Sequence, residues 1–346
     1  MSAQAPTRVF RFGAGAFEAL EEVCAEVGIA RPVLVTSGRG AALAGAHAFA
    51  GVFDGVASHA PAETVGEATA LARAVEADGL VGLGGGSAID TCKAVVTALA
   101  AEGAEPLPRV VAVPTTYAGA EWTPFFGTLL EPGRKGGGSD ERAAPVAAIY
   151  DPELTLDLPL EVTVGTSMNA LAHCAEAYYH PARTPRAERH ADTGATAIGH
   201  ALPLVVARPD GIYGRTRLLE GAYRAALAVA ESGICLGHAM AQVLGGRYGL
   251  PQGSMNAICL PAAVRFNAEA VPDAVARFGN ALGTDDPAAR LEELARLGGF
   301  ERLRDFGVPE PELDAVAAAI VERPGAQANP RPASADDVAG LLRSVW

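Results

Sequence analysis

The stretch Gly79-Leu-Val-Gly-Leu-Gly-Gly-Gly-Ser-Ala-Ile-Asp-Thr-Cys-Lys93 decides how this chain is read. Gly79 to Leu83 is short, apolar and followed by a glycine run, the pattern of a fully buried strand. Gly84, Gly85, Gly86 and Ser87 then open a helix that runs through Lys93. A strand turning through glycines into a helix leaves unpaired N–H groups and a positive dipole end at the turn. Missing Cβ atoms also let a phosphate approach the backbone closely. Ser87 is placed to N-cap the helix, with Asp90 three positions on in a capping-box arrangement. The spacing is neither G-x-G-x-x-G nor a Walker loop, so on these residues alone a phosphate cradle and a plain glycine turn both fit.

Working outward, Pro32-Val-Leu-Val-Thr36 reads as another buried strand, followed by Ser37-Gly-Arg-Gly40 and a helix from about Ala41. Arg109-Val-Val-Ala-Val113 is a third strand, ending at Pro114-Thr115-Thr116. Strands separated by helices predict a parallel sheet covered on both faces. Ligands of such sheets bind beyond the strand carboxyl ends, where these three loops lie. After Asp151-Pro152 the pattern turns helical, from Ser167 to about Phe266 and again from Asp273 to Trp346. The expected architecture is a Rossmann-like α/β nucleotide-binding domain over 1–153 and an all-α substrate domain over 154–346. The active site is expected in the cleft between them.

Composition narrows the classes. In 346 residues, 49% are hydrophobic and 19% charged, enough apolar surface for packed cores. A net charge of −13 speaks against a nucleic-acid partner, because nothing would neutralise a run of phosphates. No segment reaches the roughly 18 uninterrupted apolar residues of a membrane span, so no membrane partner is expected. Cys24, Cys92, Cys174, Cys235 and Cys259 are odd in number and scattered, which suits small buried hydrophobes in a reducing compartment. With no signal-peptide layout at MSAQAPTRVF, a cytoplasmic location is expected.

The loop Gly84-Gly-Gly-Ser-Ala-Ile-Asp-Thr-Cys-Lys93 resembles the cofactor loop of the iron-type alcohol dehydrogenase superfamily, G-G-G-S-x-x-D-x-x-K. Pro114-Thr-Thr-Tyr-Ala-Gly-Ala-Glu-Trp-Thr-Pro124 is similar to the second cofactor loop in its maleylacetate-reductase form. Ile149-Tyr-Asp-Pro-Glu-Leu-Thr155, Ser167-Met-Asn-Ala-Leu-Ala-His-Cys-Ala-Glu-Ala177, Val243-Leu-Gly-Gly-Arg-Tyr-Gly-Leu-Pro251 and Asn329-Pro-Arg-Pro332 resemble that branch in the same order. The resemblance implies the dehydroquinate synthase-like fold of that superfamily and an NADH- or NADPH-dependent oxidoreductase acting on a small molecule, with a homodimer expected. It implies that Gly84, Gly85, Gly86 and Ser87 hold the pyrophosphate, with Asp90 of the same loop among the cofactor-binding residues. Thr115, Thr116, Tyr117 and Thr123 would line the adenine and nicotinamide ends, and Lys135 would reach a ribose or the substrate. Ser37, with Arg39 nearby, stands where many members carry a ribose-binding Asp. Without that carboxylate a 2′-phosphate is not repelled, so both NADH and NADPH are expected to serve.

In the metal-using members an Asp and three His hold a divalent ion, and their places here are Asn169, His173, His238 and Gln252. Gln242 stands where the family generally has a histidine near the nicotinamide. Carboxamides are neutral, weak donors beside the imidazole, thiolate and carboxylate that Zn²⁺ or Fe²⁺ prefer, so no tightly bound metal is expected. Asn169 and His173, like His238 and Gln242, are spaced i, i+4 and share a helix face. The expected chemistry interconverts a ketone and a secondary alcohol. His173 or His238 would handle the proton, while Asn169, Gln242 and Gln252 orient the substrate. Arg247 and Lys135 are candidates for gripping a substrate carboxylate, weighed against ordinary solvated cations. Three other readings stay open: a biosynthetic tailoring dehydrogenase on another alcohol, a dehydroquinate-synthase-like cyclase, and a catalytically silent nucleotide-binding subunit.

Overall fold

In the computed structural model, the described residues are 8–131 and 134–346, without the side chains at 131, 134 and 135. The α/β part runs β1 (Val9–Phe12), α1 (Leu20–Glu26), β2 (Pro32–Thr36), α2 (Gly38–Leu43), β3 (Gly51–Phe53), α3 (Ala62–Ala74), β4 (Gly79–Gly84), α4 (Gly86–Ala101), β5 (Arg109–Pro114), β6 (Phe125–Glu131), β7 (Arg134–Ser139) and β8 (Ala147–Tyr150). The helical part continues with α5 (Leu160–Tyr179), α6 (Pro185–Ala207), α7 (Ile212–Ser232), α8 (Leu236–Tyr248) and α9 (Gln252–Ala268). It ends with α10 (Pro272–Leu282), α11 (Pro287–Arg296), α12 (Leu313–Val321), α13 (Pro324–Gln327) and α14 (Ala335–Ser344). The chain forms two compact units, 1–116 with 120–155 and 117–119 with 156–346.

In the first unit, six parallel strands lie in the order β1-β8-β5-β4-β2-β3. Alternate residues feed two cores, as a parallel sheet buried on both faces requires. Leu34, Val81, Leu83, Val111 and Ile149 pack on one side with Leu20 and Val23 of α1. Val33, Val35, Leu80 and Val110 pack on the other with Ala68, Ala72, Val95 and Val96 of α3 and α4. From β2 the chain crosses to β3, and from β4 it crosses the opposite way to β5. The order therefore reverses between β2 and β4, where sheets of this type leave a crevice at the strand carboxyl ends. Ser37 follows one of these strands and the Gly84–Ser87 loop the other.

Two boundaries differ from the sequence reading. Helix α2 begins at Gly38, with Ser37 in the N-cap position, rather than near Ala41. Gly40 allows this early start, because a Cβ there would fall 1.8 Å from Thr36 Oγ1 as α2 packs onto β2. Helix α5 begins at Leu160, ahead of Ser167. The antiparallel β6–β7 hairpin was not anticipated.

In the helical unit, α5 is buried almost continuously from Thr163 to Tyr179, as befits a central helix surrounded by others. Helix α9 approaches it closely at Gly253, where a Cβ would lie 2.5 Å from the carbonyl carbon of Gly165. Among the described residues no single helix is long and apolar enough to cross a membrane. All five cysteines are buried and unpaired; burial pushes the Cys24 thiol up to about 11.

Candidate active site

In the α/β unit, the candidate cofactor residues centre on the glycine turn after β4. Gly84 has φ +156, a conformation that side chains rarely adopt, and Gly85 is the extended N-cap of α4. No side chain caps this helix. The capping box expected of Ser87 and Asp90 is therefore absent, because the turn starts the helix at Gly86, one residue ahead of Ser87. Ser87 Oγ instead accepts from His59 N at 3.1 Å. Asp90 faces inward, accepting from Gly127 N at 3.0 Å and lying 3.5 Å from Lys93 Nζ. A Cβ at Gly84 would sit 2.9 Å from Ala88 Cβ, and one at Gly85 3.0 Å from Thr116 Cγ2. An uncapped helix N-terminus behind a cradle that a single Cβ would fill fits a pyrophosphate.

Neighbouring residues hold this cradle. Thr115 N donates to Gly84 O at 2.9 Å, linking the loops after β5 and β4. Arg39 donates to Thr115 Oγ1 at 3.0 Å and to Leu154 O at 2.9 Å. Lys93 is wholly buried and gives Nζ–H to Ala120 O at 2.6 Å and Phe125 O at 2.7 Å. Burial lowers its pKa, opposed by the carboxylates of Asp90 and Glu121. The Asp and Lys of the loop motif thus fasten Ala120, Phe125 and Gly127 to α4. Thr123 is buried, its hydroxyl 3.5 Å from Ala120 O. The side chain of Lys135 lies outside the described residues. The Tyr117 side chain is wholly buried in the helical unit, and its hydroxyl accepts from Arg215 Nη1 at 3.3 Å.

In the helical unit, α5 and α8 bring Asn169, His173 and His238 together. The imidazoles of His173 and His238 stack with centroids 4.7 Å apart. Asn169 Nδ2 donates to Ala118 O at 2.9 Å and lies 3.4 Å from His173 Nε2. Its Oδ1 accepts from Asn256 Nδ2 at 2.6 Å. Burial, with His238 beside it, pushes the His173 pKa well below its ordinary value, so this ring is neutral at neutral pH. His238 Nδ1 lies 2.6 Å from Glu176 Oε2, while its Nε2 is buried with no hydrogen-bond partner among the described residues.

Glu176 was passed over in the sequence reading, although it lies within a quoted motif. It is fully buried on α5 and accepts from Cys235 N at 2.7 Å and His238 N at 3.0 Å, the first turn of α8. Asn256 was also missed. Gln242 is not free for substrate at its oxygen, because Oε1 accepts from Arg323 Nη2 at 3.1 Å. Gln252 is the first residue of α9 and half-buried. Arg247 is on the surface, paired with Glu312 Oε2 through Nε at 2.9 Å and Nη2 at 2.7 Å.

These residues do not fit a divalent transition metal. Asn169 turns its N–H toward the His173 Nε2 lone pair, and its own oxygen is taken by Asn256. Stacked imidazoles 4° from parallel hold their lone pairs in parallel planes, so they do not converge as two ligands of one tetrahedral ion do. Among the described residues no three His, Cys, Asp or Glu side chains gather as a metal site.

The iron-containing alcohol dehydrogenase model matches residues 6–152, and the C-terminal model of the Fe-containing alcohol dehydrogenase family matches 163–346. The chain is 38% identical to a maleylacetate reductase of Pseudomonas aeruginosa over 343 residues, covering 97% of this chain and 94% of the relative. The crystal structure of maleylacetate reductase from Agrobacterium tumefaciens superimposes with a TM-score of 0.89 at 31% identity, covering 100% of this chain and 97% of the other. An iron-containing alcohol dehydrogenase from Corynebacterium glutamicum gives a TM-score of 0.89 at 33% identity, covering 100% and 96%.

Proposed function

The chain belongs to the iron-containing alcohol dehydrogenase family and is an NAD(P)-dependent oxidoreductase, and we propose that it interconverts a ketone and a secondary alcohol on a small carboxylate-bearing substrate, in the manner of a maleylacetate reductase and without a tightly bound metal. The observation that carries this reading is His238 Nε2, buried and without a hydrogen-bond partner among the described residues, on a ring whose other nitrogen is held by Glu176.

The backbone around Gly84–Gly86 and the α4 N-terminus would hold the cofactor pyrophosphate. When bound, the nicotinamide supplies or accepts the hydride. In the oxidative direction, His238 Nε2 takes the hydroxyl proton of the alcohol. In the reductive direction His238 returns that proton from Nε2 to the oxygen of the former carbonyl. His173, held neutral, brings no proton at neutral pH; it packs flat against His238 and limits its rotation. With Ser37 rather than a carboxylate after β2, both NADH and NADPH serve.

A panel of oxo acids and hydroxy acids, followed by reduced-nicotinamide absorbance, tests the proposal. Turnover is expected with a carboxylate-bearing ketone or alcohol in metal-free buffer. Cofactor binding with no turnover of any ketone or alcohol, or turnover only after adding iron or zinc, would contradict it.

A further inference from the structure

Among the described residues, the Glu176 carboxylate hydrogen-bonds to one residue at a family metal position, His238. Its carboxylate has three neighbouring donors, Cys235 N, His238 N and His238 Nδ1. Two of these are backbone N–H groups in the first turn of α8, and a carboxylate there satisfies orphan donors and complements the helix dipole. Capping alone would explain those two. It does not require the third, in which Oε2 also meets the ring at 2.6 Å.

We infer that Glu176 is a positioning residue: by accepting the Nδ1 hydrogen of His238 it fixes the tautomer that leaves Nε2 as the proton-transferring atom. This rests on the reading of His238 as proton carrier. A carboxylate has no hydrogen to give, so the ring hydrogen of neutral His238 must sit on Nδ1 for the 2.6 Å contact to be a hydrogen bond. The other nitrogen then carries a lone pair, and it is the one without a hydrogen-bond partner among the described residues. The carboxylate remains an acceptor whether the ring holds one proton or two, so the ring need not turn during a proton transfer. An amide at 176 offers one acceptor end to three donors. It must withdraw an acceptor from a backbone N–H or turn its own N–H toward Nδ1. The second arrangement is satisfied only when the ring hydrogen moves to Nε2, the atom that must be bare to accept a proton.

Selective ¹⁵N-histidine labelling tests this directly, because the two tautomers differ in nitrogen shifts. The His238 signals are assigned among the seven histidines by their loss in His238→Gln. At about pH 8, where imidazoles are generally neutral, the wild-type protein should show Nδ1–H and a bare Nε2 at His238. Glu176→Gln should populate the Nε2–H form, and kcat should fall about 10²-fold with cofactor Kd changed less than about twofold. A purely capping role would lower Tm and leave the tautomer and kcat per folded molecule unchanged. A wild-type hydrogen on Nε2 overturns the inference even if Glu176→Gln does not fold. So does normal kcat in Glu176→Gln alongside a collapsed kcat in His238→Gln. Normal kcat in His238→Gln would instead remove the proton-carrier reading beneath it.

Discussion

The rings of His173 and His238 lie face to face, 4.7 Å between centroids and 4° from parallel, although 65 residues separate them in sequence. Helix α5 supplies one and the first turn of α8 the other. Their environments differ. His238 has a carboxylate at Nδ1, whereas His173 has the neutral amide of Asn169 at Nε2.

That difference predicts a pH dependence of stability. Burial, with His238 as the second cause, depresses the folded pKa of His173 below its unfolded value of about 6.5. The unfolded chain therefore takes up this proton more readily. The contribution is fully present above the unfolded pKa and is lost as pH falls toward the folded one. Between about pH 7 and 5, wild-type stability should fall more steeply than that of His173→Gln, by at most about 1.4 kcal/mol per pH unit. Parallel pH profiles for the two proteins would contradict the assignment.

The donor set around the histidines predicts metal content. Purified protein should hold well under one equivalent of iron or zinc per chain, and a chelator should leave turnover intact. Elemental analysis that finds stoichiometric metal, lost in both His173→Ala and His238→Ala, would refute this.

A carboxylate in the glycine turn should abolish cofactor binding. In Gly85→Asp the new Cβ would press on Thr116, 3.0 Å away, and the charge would oppose a pyrophosphate at the α4 N-terminus. Fluorescence titration should show at least a ~10²-fold weaker Kd for NADH, about 2.7 kcal/mol. Circular dichroism checks the fold. Unchanged affinity in a folded variant would mean that the loop binds something else.

Lys93 predicts a stability effect of a different kind. It is wholly buried, and its ammonium serves the carbonyls of Ala120 and Phe125. Lys93→Ala leaves both without that donor and leaves Asp90 without the nearby cation. Urea unfolding should show a loss of about 3–5 kcal/mol. A loss under about 1 kcal/mol would show that these contacts do not secure the segment that Lys93 holds.

What the sequence revealed was mostly local. The strands at Pro32–Thr36, Gly79–Gly84 and Arg109–Pro114 could be read because buried parallel strands are short apolar runs, and the glycine turn because strand, turn and helix adjoin. The β6–β7 hairpin was illegible: Gly136, Gly137 and Gly138 interrupt any alternation of polar and apolar residues. Asp90 was misread as a cap partner because its acceptor role is met by Gly127 N, 37 residues away. In the helical unit, the resemblance picked out His173 and His238, but no local pattern could show that Glu176 joins His238 across 62 residues. Nor could it show that Arg323, 81 residues from Gln242, takes up that amide's oxygen. Such pairs exist only once the helices are packed.

The account turns on His238 as the group that moves the proton, and steady-state kinetics of His238→Ala tests this most directly. A general acid–base acts in the transition state, and His238 belongs to the helical unit while the glycine turn belongs to the α/β unit. The account predicts that kcat falls about 10²-fold or more, with KM for NADH or NADPH within about threefold and a folded protein by Tm. A normal kcat per folded molecule, with only Tm lowered, would contradict it.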